Sequence, residues 1–223
     1  MTARTIVFDL DGTLIDTAPD LIHTLNLILT QEGLPALPYG AARNLIGGGA
    51  QVMIQRALTA EGKDATEAEI ERLYAAFIAY YSEHIADRSR PFPGLGRALD
   101  DIGAAGFKLA VCTNKLEWLS LRLLKALDLT QRFAAICGPD TFGAQKPDPE
   151  VFRQTVRRAG GEPDRAIMVG DSKTDIHTAR AARVPVIAVD FGYTDVPIAS
   201  LQPDRIISAF SELPAAISDL LGL

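Results

Sequence analysis

Short apolar runs that alternate with amphipathic helical patterns predict an α/β chain built on a Rossmann-like doubly wound parallel sheet. A second observation adds an inserted all-helical cap. Residues 9–108 separate the first apolar run from the second, an interval far too long for an ordinary crossover and rich in helix-forming patterns. A third observation is that acids follow two of the runs directly, at the sheet edge where open α/β folds place their ligands.

The elements follow in order. Ile6-Val7-Phe8 is the first buried strand, and it ends in Asp9-Leu10-Asp11-Gly12-Thr13. The first helix of the insert carries Leu21, Leu25, Ile28 and Leu29 as one apolar stripe, with Pro19 near its start and Gly33 as its stop. A later helix begins at Thr66 with Glu69 three residues on, a capping-box pattern, and continues through Ile70, Leu73, Phe77 and Tyr81. Arg90-Pro91-Phe92-Pro93-Gly94 marks the end of the insert, so the expected division is a core of residues 1–15 and 91–223 around a cap of residues 16–90. Further strands are expected at Leu109–Cys112, Ala134–Cys137, Ile167–Val169 and Val186–Val189, with helices at about 116–127, 149–159, 173–183 and 211–220.

The bulk properties narrow the function. The chain has 223 residues and a formal net charge of −6, and its basic side chains are scattered, which argues against a nucleic-acid surface and for a small-molecule partner. Cys112 and Cys137 both sit in apolar runs and read as buried free thiols of a reducing compartment. No apolar run approaches a membrane span, so a cytoplasmic protein with no membrane partner is expected, as a monomer or a homodimer.

Four strand ends carry the candidate chemistry. Asp9 and Asp11 flank a residue pointing the other way, so both carboxylates can converge on one cation and one substrate. Thr113-Asn114-Lys115 follows the second strand, where a hydroxyl and exposed N–H groups suit phosphate oxygens, although the same pair also suits a helix start. Lys146 lies in Gln145-Lys146-Pro147-Asp148-Pro149, with Asp148 and Pro149 fitting the N-cap and first position of the next helix and holding the lysine in a short loop. Val169-Gly170-Asp171-Ser172-Lys173-Thr174-Asp175 is again a strand followed by acids. Asp175 fits the third helical position after a Ser172 cap, so it reads either as a capping residue or as support for the site. Three carboxylates from two strand ends, Asp9, Asp11 and Asp171, with phosphate oxygens and water completing an octahedral shell and no His or Cys among them, describe a magnesium site rather than a zinc site.

The set Asp9-x-Asp11-Gly12-Thr13, Thr113-Asn114, Lys146-Pro147 and Gly170-Asp171-x-x-x-Asp175 resembles the haloacid dehalogenase-like phosphohydrolases in number, order and strand position. The segment Asp11–Leu21 looks most like their phosphoglycolate phosphatase subgroup. That resemblance implies a helical cap, magnesium dependence and dephosphorylation of a small phosphate ester, chiefly 2-phosphoglycolate. The roles expected on this basis make Asp9 the nucleophile that forms an aspartyl-phosphate and Asp11 the general acid and base. Lys146 neutralises charge, Thr113 and the Asn114 amide position the phosphoryl group, and Asp9, Asp171 and the Asp11 carbonyl hold Mg2+. Asp175 supports the metal or orients Lys146.

Gly47-Gly48-Gly49-Ala50 in the insert reads either as a receiver of a substrate carboxylate or as a flexible turn. A phosphoryl-accepting signalling receiver would share the acids, Thr and Lys but has no need of a cap. A dehalogenase would lack the second acid at Asp11. Pyrophosphatases, nucleotide phosphatases and sugar phosphomutases share the core motifs, so the cap must discriminate among them.

Overall fold

The computed structural model describes residues 4–194 and 196–222. Residues 1–3 and 223 of the expected core, and Asp195, lie outside the described residues. The chain opens with β1 (Thr5–Phe8) and β2 (Ile15–Asp16), then runs through four helices, α1 (Ala18–Gln31), α2 (Tyr39–Arg43), α3 (Ala50–Ala60) and α4 (Glu67–Glu83), before returning in β3 (Arg90–Pro91). Next come α5 (Leu95–Ala104), β4 (Lys108–Cys112), α6 (Glu117–Ala126), β5 (Ala135–Cys137), α7 (Pro139–Phe142) and α8 (Pro149–Arg158). The remainder is β6 (Ala166–Gly170), α9 (Lys173–Ala182), β7 (Val186–Val189), β8 (Arg205–Ile207) and α10 (Leu213–Leu221).

Among the described residues the main sheet is six-stranded in the order β5-β4-β1-β6-β7-β8, with every pairing parallel. β1 lies where the strand order reverses, and its partners are in register: Phe8 sits opposite both Val111 and Val169. The residues that follow these three strands therefore emerge side by side at the crevice such a reversal creates. Alternation along β1 sends Ile6 and Phe8 into one hydrophobic cluster and Val7 into the other, so the strand is buried on both faces. The larger cluster is shared, joining sheet residues such as Phe8 and Val169 to Leu25, Met53, Phe77 and Tyr81 of the inserted helices. The architecture is thus an α/β core with a helical cap.

Several elements were absent from the sequence expectation, among them β8, the β2–β3 pair and α5. β8 is an edge strand in which only Ile207 is buried, so no continuous apolar run announces it. β2 and β3 form a separate two-residue antiparallel pair, too short to show any period. Helix α5 has a regular stripe, Leu95, Ala98, Leu99 and Ile102, but it starts directly behind the Pro/Gly boundary, with Gly94 as its N-cap. The two cysteines are free and buried as expected, and no helix of the described chain is long and apolar enough to cross a membrane.

Candidate active site

A cleft of about 230 Å³ lies between the strand ends and the cap, and Asp9, Asp11, Thr113, Asn114, Lys115, Lys146 and Asp171 all line it. Asp9 follows β1, and its backbone N–H donates to the Val169 carbonyl at 2.9 Å, extending the ladder one residue beyond the strand. Its Oδ1 accepts from the Leu10 N–H at 2.7 Å and pairs with the Lys146 ammonium at 2.9 Å. Burial pushes the Asp9 carboxyl up to about 6, with Lys146 pulling the other way.

Lys146 is fully enclosed and reaches Asp175 Oδ1 at 2.6 Å as well as Asp9. Burial works against its charge, yet the two carboxylates more than offset this and hold its pKa above the ordinary lysine range. Its loop is fixed from both sides. Asp148 caps α8, accepting from the Glu150 N–H, and the Asn114 side chain grips the Lys146 backbone, donating to its carbonyl at 3.1 Å and accepting from its N–H at 2.9 Å. The Asn114 side-chain amide thus holds the Lys146 backbone in place.

Asp175 does both things the sequence left open. Its Oδ2 accepts from the Ser172 N–H and hydroxyl, completing a capping box at the start of α9, while its Oδ1 holds Lys146. Asp171, at the tip of β6, accepts from the Thr13 hydroxyl at 2.9 Å and the Tyr193 N–H at 2.6 Å. Burial pushes its carboxyl up to about 8, with Asp175 and Asp9 adding repulsion. Gly12 makes room for it: φ is +82°, and a Cβ there would come within 2.5 Å of Asp171 Oδ2.

The carboxylates of Asp9, Asp171 and Asp175 offer oxygens that all lie within 4.8 Å of one another. An all-oxygen, buried set carrying more negative than positive charge fits a hard divalent cation such as Mg2+, which would relieve the repulsion that drives Asp171 toward protonation. The Asp11 carboxylate takes no part in this group. It forms a two-pronged ion pair with the Lys115 ammonium, at 3.0 and 2.9 Å, and Lys115 lies 4.7 Å above the centre of the Tyr81 ring on α4.

Sequence reasoning quoted Lys115 only as the tail of Thr113-Asn114-Lys115 and gave it no role, and it missed Thr13, Tyr81 and Tyr193 as site residues. Adjacency to Thr113 was a usable signal for Lys115. Tyr193 carried none, because a loop far along the chain delivers it. Its hydroxyl accepts from the Ala18 N–H and donates to Asp16, while Arg43 of the cap donates to the Phe191 and Gly192 carbonyls, so this one loop touches both Asp171 and the cap. Gly47, Gly48 and Gly49 line the cleft with φ of 118°, 77° and 93°, a backbone path that leads into α3 and favours glycine at each step.

Residues 6–189 match the family model described as haloacid dehalogenase-like hydrolase. That match spans most of the chain, so the chain belongs to the haloacid dehalogenase-like hydrolases. Within that family it groups with proteins named phosphoglycolate phosphatase. It is 48% identical to the one from Mesorhizobium japonicum over 221 residues, covering 99% of this chain and 97% of that protein. It is 47% identical to the one from Agrobacterium fabrum over 225 residues, at the same coverage. The crystal structure of a predicted phosphoglycolate phosphatase from Haemophilus somnus superimposes with a TM-score of 0.89 at 32% identity, covering 97% of this chain and 99% of that one. The chain is accordingly a phosphoric monoester hydrolase acting on a small-molecule phosphate ester.

Proposed function

We propose that the protein is a magnesium-dependent phosphatase that hydrolyses 2-phosphoglycolate through an aspartyl-phosphate on Asp9. The observation that carries this reading is the Asp9–Lys146 pair at 2.9 Å, buried at the sheet's reversal point in the same cleft as Asp171. An Asp9 oxygen attacks phosphorus in line, the ester P–O bond breaks, and Asp11 gives its proton to the departing alkoxide. Water then attacks the phosphorus of the acyl phosphate while Asp11 takes its proton, releasing phosphate and restoring Asp9. Lys146 neutralises the equatorial oxygens, and Thr113 and the Asn114 amide orient them from the end of β4. Asn114 and Asp175 also act through Lys146, the first by gripping its backbone and the second by pairing with its ammonium.

Asp9, Asp171 and the Asp11 carbonyl would hold the metal, with Asp175 behind them. When bound, Mg2+ supplies charge stabilisation to the transferring phosphoryl group. Residues 16–90 act as the cap domain over a core of residues 1–15 and 91–223, excluding water from the cleft and reading the leaving group. Free, buried Cys112 and Cys137 suit the reducing cytoplasm.

The test is phosphate release from a panel of 2-phosphoglycolate, pyrophosphate, hexose phosphates and nucleotides, with Mg2+ or with a chelator. Preference for 2-phosphoglycolate and loss of turnover in chelator are expected. Asp9→Asn should lower kcat by roughly a thousandfold or more while the protein stays folded. Undiminished turnover in that variant would remove Asp9 as nucleophile.

A further inference from the structure

The cleft is lined by two cations, and they face different halves of it. Lys146 is held by Asp9 and Asp175 on the phosphoryl side. Lys115 stands on the other side with its side chain only 5% exposed, joined to Asp11 and roofed by the Tyr81 ring. Tyr81 adds a second, independent sign of an absent acceptor. The residue is 1% exposed and lines the cleft, and its hydroxyl, which interacts with the Lys115 ammonium, has no hydrogen-bond acceptor among the described residues. A buried hydroxyl without an acceptor is unfavourable, so its place beside an ammonium suits an anionic ligand.

We propose that the Lys115 ammonium and the Tyr81 hydroxyl form the subsite for a carboxylate carried by the leaving group. This rests on the assignment of Asp11 as the acid that serves the leaving oxygen. In 2-phosphoglycolate the carboxylate is one methylene from that oxygen, so a group bonded to Asp11, as Lys115 is at 2.9 Å, stands where the carboxylate must arrive. The incoming carboxylate accepts from Lys115 and from the Tyr81 hydroxyl and takes over Lys115 from Asp11, which leaves the Asp11 oxygens for the leaving group. One contribution comes from the core and one from the cap, so the subsite is complete only while α4 lies over the strand ends.

Binding of two non-hydrolysable phosphonates tests this without relying on turnover. 3-Phosphonopropionate keeps the carboxylate, and propylphosphonate replaces it with a methyl group. Calorimetric titration should show wild-type protein binding the first at least tenfold more tightly than the second. Lys115→Met should reduce that preference to within about twofold, and Tyr81→Phe, which keeps the ring and its packing, should reduce it by about tenfold, the lower end of what one hydrogen bond to a charged acceptor contributes. A preference that persists undiminished in both variants would overturn the subsite and move carboxylate recognition to the Gly47–Gly49 turn. A wild-type protein that binds both phosphonates equally would overturn the 2-phosphoglycolate reading itself. Should Lys115→Met fail to fold, Tyr81→Phe and Lys115→Gln decide the matter by the same ratio.

Discussion

Asp175 is fully buried, and its two oxygens hold different things: one closes the cap of α9 and the other fixes Lys146. Replacing it by asparagine keeps the shape but leaves a buried ammonium with Asp9 alone. Loss of a partner from a buried pair is worth about 3–5 kcal/mol, so Asp175→Asn should lower the urea midpoint of unfolding by a corresponding amount and slow turnover as Lys146 loses its position. An unchanged midpoint would mean that the pair contributes nothing net. At this scale the sequence was informative wherever a residue acts close to its own strand end. Asp9, Asp11, Thr113 and Asp171 all emerge at the crevice because parallel register carries them there, and the loop ahead of α8 brings Lys146 beside them. What stayed hidden was pairing across elements. That Asp11 would meet Lys115, or that Asp171 would be held by the Tyr193 N–H, depends on loop paths and side-chain reach that no periodicity encodes.

Elements with local signatures were legible. Helix α4 begins at Thr66 with both arms of its capping box in place, and α8 begins with Asp148 at its cap and Pro149 behind it. The connection between core and cap was not legible, because it is built from contacts far apart in sequence. Asp20, near the start of α1, is buried and accepts from the Arg88 N–H, the Ser89 N–H and the Ser89 hydroxyl, tying the outgoing chain to the returning one beside the β2–β3 pair. Asp20→Ala leaves these donors without their carboxylate and should cost about 2–4 kcal/mol. Hydrogen exchange at Arg88 and Ser89 should rise more than at β1, whose ladder is untouched. Equal protection loss in both places would show that Asp20 stabilises the whole fold rather than this junction.

For the whole molecule, the concentration of buried acid at the strand ends links stability to pH and to metal. The Asp9 and Asp171 carboxyls are raised from 3.8 to about 6 and about 8, so the folded state favours their neutral forms. The stability these two groups contribute is present below about pH 4 and is lost as pH rises through 6 and then 8 in metal-free protein. A divalent cation requires them ionised, so its effect should run the other way. Addition of Mg2+ at a hundredfold excess over its Kd should stabilise the protein by about 2.7 kcal/mol. At one fixed Mg2+ concentration the gain in melting temperature should be larger near pH 8.5 than near pH 5.5, which differential scanning calorimetry can measure. Equal gains at the two pH values would place the ion elsewhere. Because cap and core side chains share one hydrophobic cluster, unfolding should be a single transition, with the fluorescence of Trp118 and far-UV dichroism coinciding. The pairing of Ile15 with Pro91 and Asp16 with Arg90 has a consequence of another kind. Since departure and return occupy adjacent positions, the intervening stretch imposes no span on the sheet, and each doubling of its length adds only about 0.6 kcal/mol of closure entropy. Evolution can therefore exchange what lies above this socket for inserts of different size and shape while the chemistry beneath keeps its geometry.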